Sequence, residues 1–214
     1  MAIESFGTER EDIHGSKFQK YKGKEGNTDQ VGIIPFPDGK FFKGAKCHFK
    51  DRMFQCKSTG SKKEICCTHS YEGNRPMFRI AAVVIVYNLV TKDGKTMLKD
   101  YTILPWIFRE KMYNTLAGAD KEFPLAQHDL KLTCSDEKFQ TIAVMPSKVS
   151  IWSSKPELKE KVLKEAQSVF EDAIKNIAAD LGINEIRDIL GVDEPGLTDA
   201  ATDVNLGDVM GATE

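Results

Sequence analysis

Residues 47–69, CHFKDRMFQCKSTGSKKEICCTH, limit the fold more than any other stretch of this chain. They hold four of its five cysteines and two of its four histidines. The rest of the stretch is rich in Lys, Ser and Gly and offers little apolar surface for a core. Three readings of the cysteines compete. Buried reduced thiols suit a lone residue such as Cys134, which alternates with apolar neighbours, but not four thiols in a basic loop region. Disulfides fit poorly with a chain opening on MAIESFGTEREDIHG, which lacks the basic-then-apolar pattern of a secretory leader; the expected compartment is the reducing cytoplasm. Adjacent cysteines such as Cys66 and Cys67 also rarely bridge each other, because the geometry is strained.

The third reading is zinc, which takes four sulfur or nitrogen ligands in a tetrahedron, usually as two pairs from separate turns. Cys47 and Cys56 would sit at the ends of a small hairpin, and Cys66 and Cys67 would close the site. His69, at C-x-x-H spacing from Cys66, is the alternative fourth ligand. His48 should point opposite to Cys47 along a strand and is not expected to ligate. A closed four-ligand shell leaves no position for water, so one structural Zn²⁺ is expected.

Around this stretch the chain reads as β-rich α+β. VGIIPF (31–36) is a strand ended by Pro-Asp-Gly, and Phe41–Phe49 and Met53–Cys56 are short strands. MFRIAAVVIVYNLV (77–90) is the most apolar run; Asp93-Gly94 then predicts a hairpin pairing it with 96–104. The spacing of Trp106, Phe108, Met112, Tyr113 and Leu116 predicts a short helix over 105–116, stopped by Gly118. Segments 128–134 and 138–152 return to strand character. Ser154 and Glu157 fit a capping box opening a helix whose apolar face runs from Leu158 to Leu181, and a short helix over 184–190 follows. The expected organisation is a mostly irregular polar arm (1–30) with one short strand near Phe18–Tyr21, a core (31–152) with a zinc subdomain at about 44–74, C-terminal helices (153–190) and a disordered acidic tail (191–214).

The net charge of −2 conceals an asymmetry. The tail carries Asp193, Glu194, Asp199, Asp203, Asp208 and Glu214 and no Lys or Arg, which leaves 30 basic against 26 acidic residues in the body. Residues 40–63 hold eight cations against Asp51 alone. Aromatic rings are interleaved with these and later cations, a combination that binds single-stranded nucleic acid: cations track phosphates and rings stack on bases. The residues expected to make such contacts are Lys43, Lys46, Phe54, Lys57, Arg75, Phe78, Arg79, Tyr87, Lys99, Tyr101, Trp106 and Arg109. Strand parity puts Arg79 and Tyr87 on one face, where they would line a groove.

Over roughly residues 18–152 the order of features resembles the single-stranded DNA-binding, helix-destabilising proteins of T-even-type bacteriophages. The elements are IIPFP, Cys47-His48-Phe49, MFQC, Ile65-Cys66-Cys67, NRPMFRIAAVVIVY, LKDYTILPWIFREKMYNTLAG and the final PLAQHDLKLTCSDEKFQTIAV. The resemblance implies an OB-fold-like barrel with an inserted zinc subdomain and binding to single-stranded DNA without sequence preference. It also implies an acidic tail that recruits replication and recombination proteins. The family pattern has one histidine and three cysteines, with the last pair spaced C-x-x-C; here Cys47 stands at the histidine position and the pair is contiguous. The family's N-terminal Lys/Arg-Ser/Thr motif for cooperative self-association is absent from AIESFGTERED, so at most weak self-association is expected. A phage-encoded protein would act in the host cytoplasm.

The expected function is thus a non-enzymatic single-stranded DNA-binding protein of replication, recombination and repair. A zinc-stapled adaptor that contacts replication or transcription machinery, with weak nucleic-acid binding, is the alternative. No P-loop, Gly-x-Ser-x-Gly, His-Glu-x-x-His or deaminase signature occurs. No run of apolar residues is long enough to span a membrane, and no membrane partner is expected.

Overall fold

The computed structural model describes residues 19–136, 141–147 and 149–192. Most of the expected arm and nearly all of the expected acidic tail lie outside them. The chain forms a mostly antiparallel sheet with a few helices, a β-rich α+β fold. The strands are β1 (Thr28–Ile34), β2 (Lys43–Phe49), β3 (Met53–Gln55), β4 (Met77–Lys92), β5 (Lys95–Arg109), β6 (Leu130–Cys134) and β7 (Ile142–Pro146). The helices are α1 (Ile65–Thr68), α2 (Glu110–Glu122), α3 (Pro156–Lys175) and α4 (Ile183–Leu190).

The long strand β4 organises the sheet. Along one edge it pairs first with β2, from Met77 to Ala81, and then with β1, from Val83 to Val86. Along the other it pairs with β5 from Arg79 to Lys92, with a bulge between Asn88 and Leu89. The β4–β5 turn is the expected hairpin: Asp93 and Gly94 both adopt positive φ, +51° and +73°, as a two-residue primed turn requires. β1 continues the sheet to β6, and β6 to β7.

Because both faces of β4 are covered, its residues read as a continuous apolar run rather than an alternation. Ala81, Val83, Ile85 and Tyr87 pack with Trp152 and with Val162, Ala166, Phe170 and Ala173 of α3. Ile80, Ala82 and Val84 face the opposite way, toward Trp106, Phe108, Leu116 of α2, and Leu130 and Leu132 of β6. A third, smaller cluster joins Phe54 and Cys66 to Leu181, Ile186 and Leu190.

Among the described residues, the segment expected as strand over 138–152 is one only at Ile142–Pro146, with a turn at 151–153. Three further boundaries differ from the sequence expectation. β5 runs on through Pro105 and Trp106 to Arg109, so α2 starts at Glu110 and Gly118 lies inside it. Proline is tolerated there because, among the described residues, β5 is an edge strand; the Tyr21 N–H donates to the Pro105 carbonyl at 2.8 Å. The predicted Ser154 capping box does not form: the Ser154 hydroxyl donates to the Ile151 carbonyl at 3.0 Å, and Lys155 occupies the cap position. Finally, α3 stops at Lys175 instead of reaching Leu181. The chain straightens so that Ala179 can pair with β3, accepting from Gln55 N–H at 2.9 Å and donating to the Met53 carbonyl at 3.1 Å.

A carboxylate is sealed into this framework. Asp129 is fully buried; its carboxylate accepts from the Tyr87 hydroxyl at 3.0 Å and from the Ile151 N–H at 2.8 Å. Gly32 makes room for it, since a Cβ there would lie 2.9 Å from Asp129 Oδ1 and 2.6 Å from the Trp152 ring. Burial raises the Asp129 carboxyl above its ordinary value of 3.8, against the opposing effect of its hydrogen bonds. The native state therefore holds this proton more tightly than the unfolded chain does. The stability associated with Asp129 is full below the unfolded pKa and falls as pH rises through the folded one. Urea unfolding of wild type and Asp129→Asn from pH 4 upward should show the variant gaining stability relative to wild type as pH rises. A pH-independent difference would sink this assignment.

Candidate metal centre and cationic surface

The third cluster carries the chemistry. His48 on β2, Cys56 just beyond β3, and Cys66 and Cys67 on α1 place one imidazole nitrogen and three sulfurs within 4.8 Å of one another. Cys67 Sγ stands 3.5 Å from Cys56 Sγ and 3.4 Å from His48 Nε2. In a tetrahedral zinc site, metal–sulfur bonds of about 2.3 Å set sulfur–sulfur edges near ~3.8 Å, so these four groups fit a single ion without large rearrangement.

The ligand set corrects the sequence expectation at one position. Cys47 was expected to ligate and His48 to point away; they do lie on opposite faces of β2, but with the roles exchanged. Cys47 is buried on the α3 face, its thiol donating to the Ala45 carbonyl at 3.3 Å. Burial pushes its pKa up, which suits a neutral core thiol. His48 is buried on the other face, its ring stacked on Phe54 with centroids 5.7 Å apart. The adjacent Cys66 and Cys67 both reach the cluster because the chain there is a turn of helix rather than a strand. His69, the alternative ligand, stands outside it and stacks on Tyr71.

The surroundings prepare these groups. His48 Nδ1 lies 3.3 Å from the Gly73 carbonyl; a proton on that nitrogen leaves Nε2 free to face the sulfurs. Burial also lowers the His48 pKa and so favours the neutral, ligating imidazole. Gly73 must be glycine: its φ is +84°, and a Cβ would come within 2.1 Å of the Phe49 carbonyl oxygen. Ser58 accepts the Glu64 N–H at 2.8 Å and so closes the loop before α1, with its hydroxyl 3.9 Å from Cys66 Sγ. Burial and the neighbouring sulfurs push the Cys56 thiol up to about 11, a cost that a bound cation would reverse.

The residues expected to contact nucleic acid divide by burial. Lys46, Arg75, Phe78, Lys99 and Arg109 are exposed. Lys43, Lys57, Arg79 and Tyr101 are half-buried; Lys43 pairs with Asp38 and Lys57 with Asp180. The Tyr101 hydroxyl donates to Glu165 at 2.8 Å. Three expectations are corrected. Phe54 is buried in the third cluster, Trp106 in the α2-side core, and Tyr87 in the α3-side core, where its parity with Val83 and Ile85 carries it inward. Arg79 and Tyr87 therefore line no common groove.

What remains exposed is still a ring-and-cation surface. Phe78 is 42 % exposed and sits opposite Lys46 across the β2–β4 pair. Its ring lies over Gly44, where a Cβ would come within 2.7 Å. Phe49, which the sequence reading did not select, is 48 % exposed beside the Lys50–Arg52 turn. Its position closing a strand beside three charged residues was the available signal. Arg79 and Arg109 are direct cross-strand partners. Like charges so placed repel, and among the described residues neither guanidinium is in an ion pair.

Substitution should separate the ligands from their neighbours. Full-length protein refolded with Zn²⁺ should bind one ion per chain, measured by metal release to a chromogenic chelator. His48→Ala, Cys56→Ser, Cys66→Ser and Cys67→Ser should each weaken retention at least tenfold, whereas Cys47→Ser and His69→Ala should retain the ion. Retention by His48→Ala with loss in Cys47→Ser would overturn the assignment. A scan against protein-family models, a search of curated proteins and a search of solved structures returned no match to this chain.

Proposed function

We propose that this chain binds single-stranded DNA without sequence preference, in replication, recombination and repair, and that its Cys/His cluster holds one structural Zn²⁺. The observation that carries the reading is the ligand set. His48 with Cys56, Cys66 and Cys67 is one histidine and three cysteines. That is the combination implied by the resemblance to the T-even-type helix-destabilising proteins, and it is reached by geometry independently of the sequence assignment. Four protein ligands fill a tetrahedron, which suits a structural rather than a catalytic ion.

The topology supports the same reading. We take β1, β4, β5, β6 and β7 as the five strands of an OB-fold-like barrel. β2, β3 and α1, lying between β1 and β4 in the chain, form the metal-bearing insert. Within the insert, the Cys56 N–H donates to the Lys46 carbonyl at 2.8 Å, so a residue of the Cys/His cluster is bonded directly to the strand that carries an exposed cation. Lys46, Phe78, Phe49, Arg75 and the Arg79–Arg109 pair supply positive charge and exposed rings for a strand whose sequence is not read. Residues 193–214, with six acids and no base, would recruit basic surfaces of partner proteins.

Titration of metal-loaded protein with oligo(dT) should give micromolar or tighter binding. With three to five phosphates neutralised, the slope of log K against log salt should be about −2 to −3.5. Absence of binding at low salt, with the ion retained, would overturn this function and favour the adaptor reading.

A further inference from the structure

A cleft of about 530 Å³ opens between the end of β5, the first turns of α2 and the start of β7. It falls in the size range that holds one small ligand, about 300–1,000 Å³. Its lining is Trp106, Ile107, Phe108, Arg109, Lys111, Met112, Thr115, Thr141 and Ile142, with no acidic residue among them. Trp106 and Phe108 are almost fully buried, with ring centroids 4.7 Å apart. Arg109 and Lys111 are exposed, and neither takes part in an ion pair among the described residues. The cleft exists because, among the described residues, β5 and β7 are both margins of the sheet: β5 pairs with β4 and β7 with β6.

We propose that this cleft receives one unpaired nucleotide of a bound single strand, the base entering between Met112 and Ile142 and its phosphate held by Arg109 and Lys111. The inference rests on the single-strand reading above and assigns part of that strand a place which the exposed rings do not provide. Charge selects the occupant. An apolar side chain from a partner protein would gain nothing from two cations that make no ion pair among the described residues. A flat aromatic base joined to a phosphate uses the apolar floor and the charge together. Arg79, directly across from Arg109, adds a second guanidinium beside the same phosphate path. The hydroxyls of Thr115 and Thr141 also line the cleft; the Thr115 hydroxyl already donates to the Lys111 carbonyl at 3.2 Å, so Thr141 is the better placed to meet a base edge.

The test uses the full chain loaded with Zn²⁺ and a fluorescein-labelled oligo(dT), read by anisotropy. Thr115→Trp, which fills the cleft, should weaken binding at least tenfold. Asn114→Trp, on α2 but outside the lining, should bind as wild type. Arg109→Gln and Lys111→Gln should each reduce the salt slope by about 0.7. An oligonucleotide carrying 5-iodouracil, irradiated in the complex, should crosslink within residues 106–115. Wild-type affinity in Thr115→Trp, with crosslinks only outside that segment, would overturn the cleft assignment and leave single-strand binding standing. Failure of wild type itself to bind would overturn both. Binding of free dTMP as tightly as oligo(dT) would make the ligand a mononucleotide and overturn the strand assignment.

Discussion

The fold depends on the pairing of β4 with two strands in succession along one edge. β2 and β1 lie end to end against β4, joined by the turn in which the Phe36 N–H donates to the Lys40 carbonyl. One strand therefore belongs to two structural units. Met77–Ala81 support the insert with the Cys/His cluster, and Val83–Val86 lie in the middle of the two-sided core. Burial of both faces over Ile80–Ile85 makes this the most strongly specified part of the chain, because a slip of one residue would exchange both faces at once.

The insert has a different economy. Phe54, Leu181, Ile186 and Leu190 are too few to order the basic segment from Lys57 to Lys63 by burial alone. The cluster of imidazole and thiols occupies the place that a larger apolar core would fill elsewhere. Its reach extends to the end of the described chain. The Lys50 ammonium donates to the Leu190 carbonyl at 3.3 Å, Lys57 pairs with Asp180, and Ala179 extends β3. The Cys/His cluster at β2 and α1 is thereby tied to the position of α4.

Much of this was legible in the sequence where local chemistry acts alone. The Asp93-Gly94 turn, the apolar run at 77–90 and the concentration of ligands in 47–69 each follow from a short stretch. What the sequence did not disclose depends on which face of a strand meets which partner. Alternation puts Cys47 and His48 on opposite sides, but only the packing of α3 over Cys47 decides which joins the core and which joins the Cys/His cluster. The same holds for Tyr87 and Trp106, whose neighbourhood of cations in the sequence is not their neighbourhood in space. The early end of α3 is a tertiary effect as well: the helical period continues through Leu181, and pairing of Ala179 with β3 overrides it. Tyr113, 37 % exposed with its ring edge-on to Phe42, was read only as a packing residue for a helix.

Lys46, Cys47 and His48 are consecutive residues in three environments: solvent, the α3-side core and the metal cluster. An ion arriving during folding would meet two possible donor sets. A register displaced by one residue would present Cys47 to the other three sulfurs and complete an all-thiolate shell, while forcing an imidazole in among Ala81, Val83 and Phe170. Metal chemistry alone would accept either arrangement; the apolar face of β4 rejects one of them. The core would thus proofread any coordination, and an ion taken up before α3 assembles on the sheet would be taken up without that check.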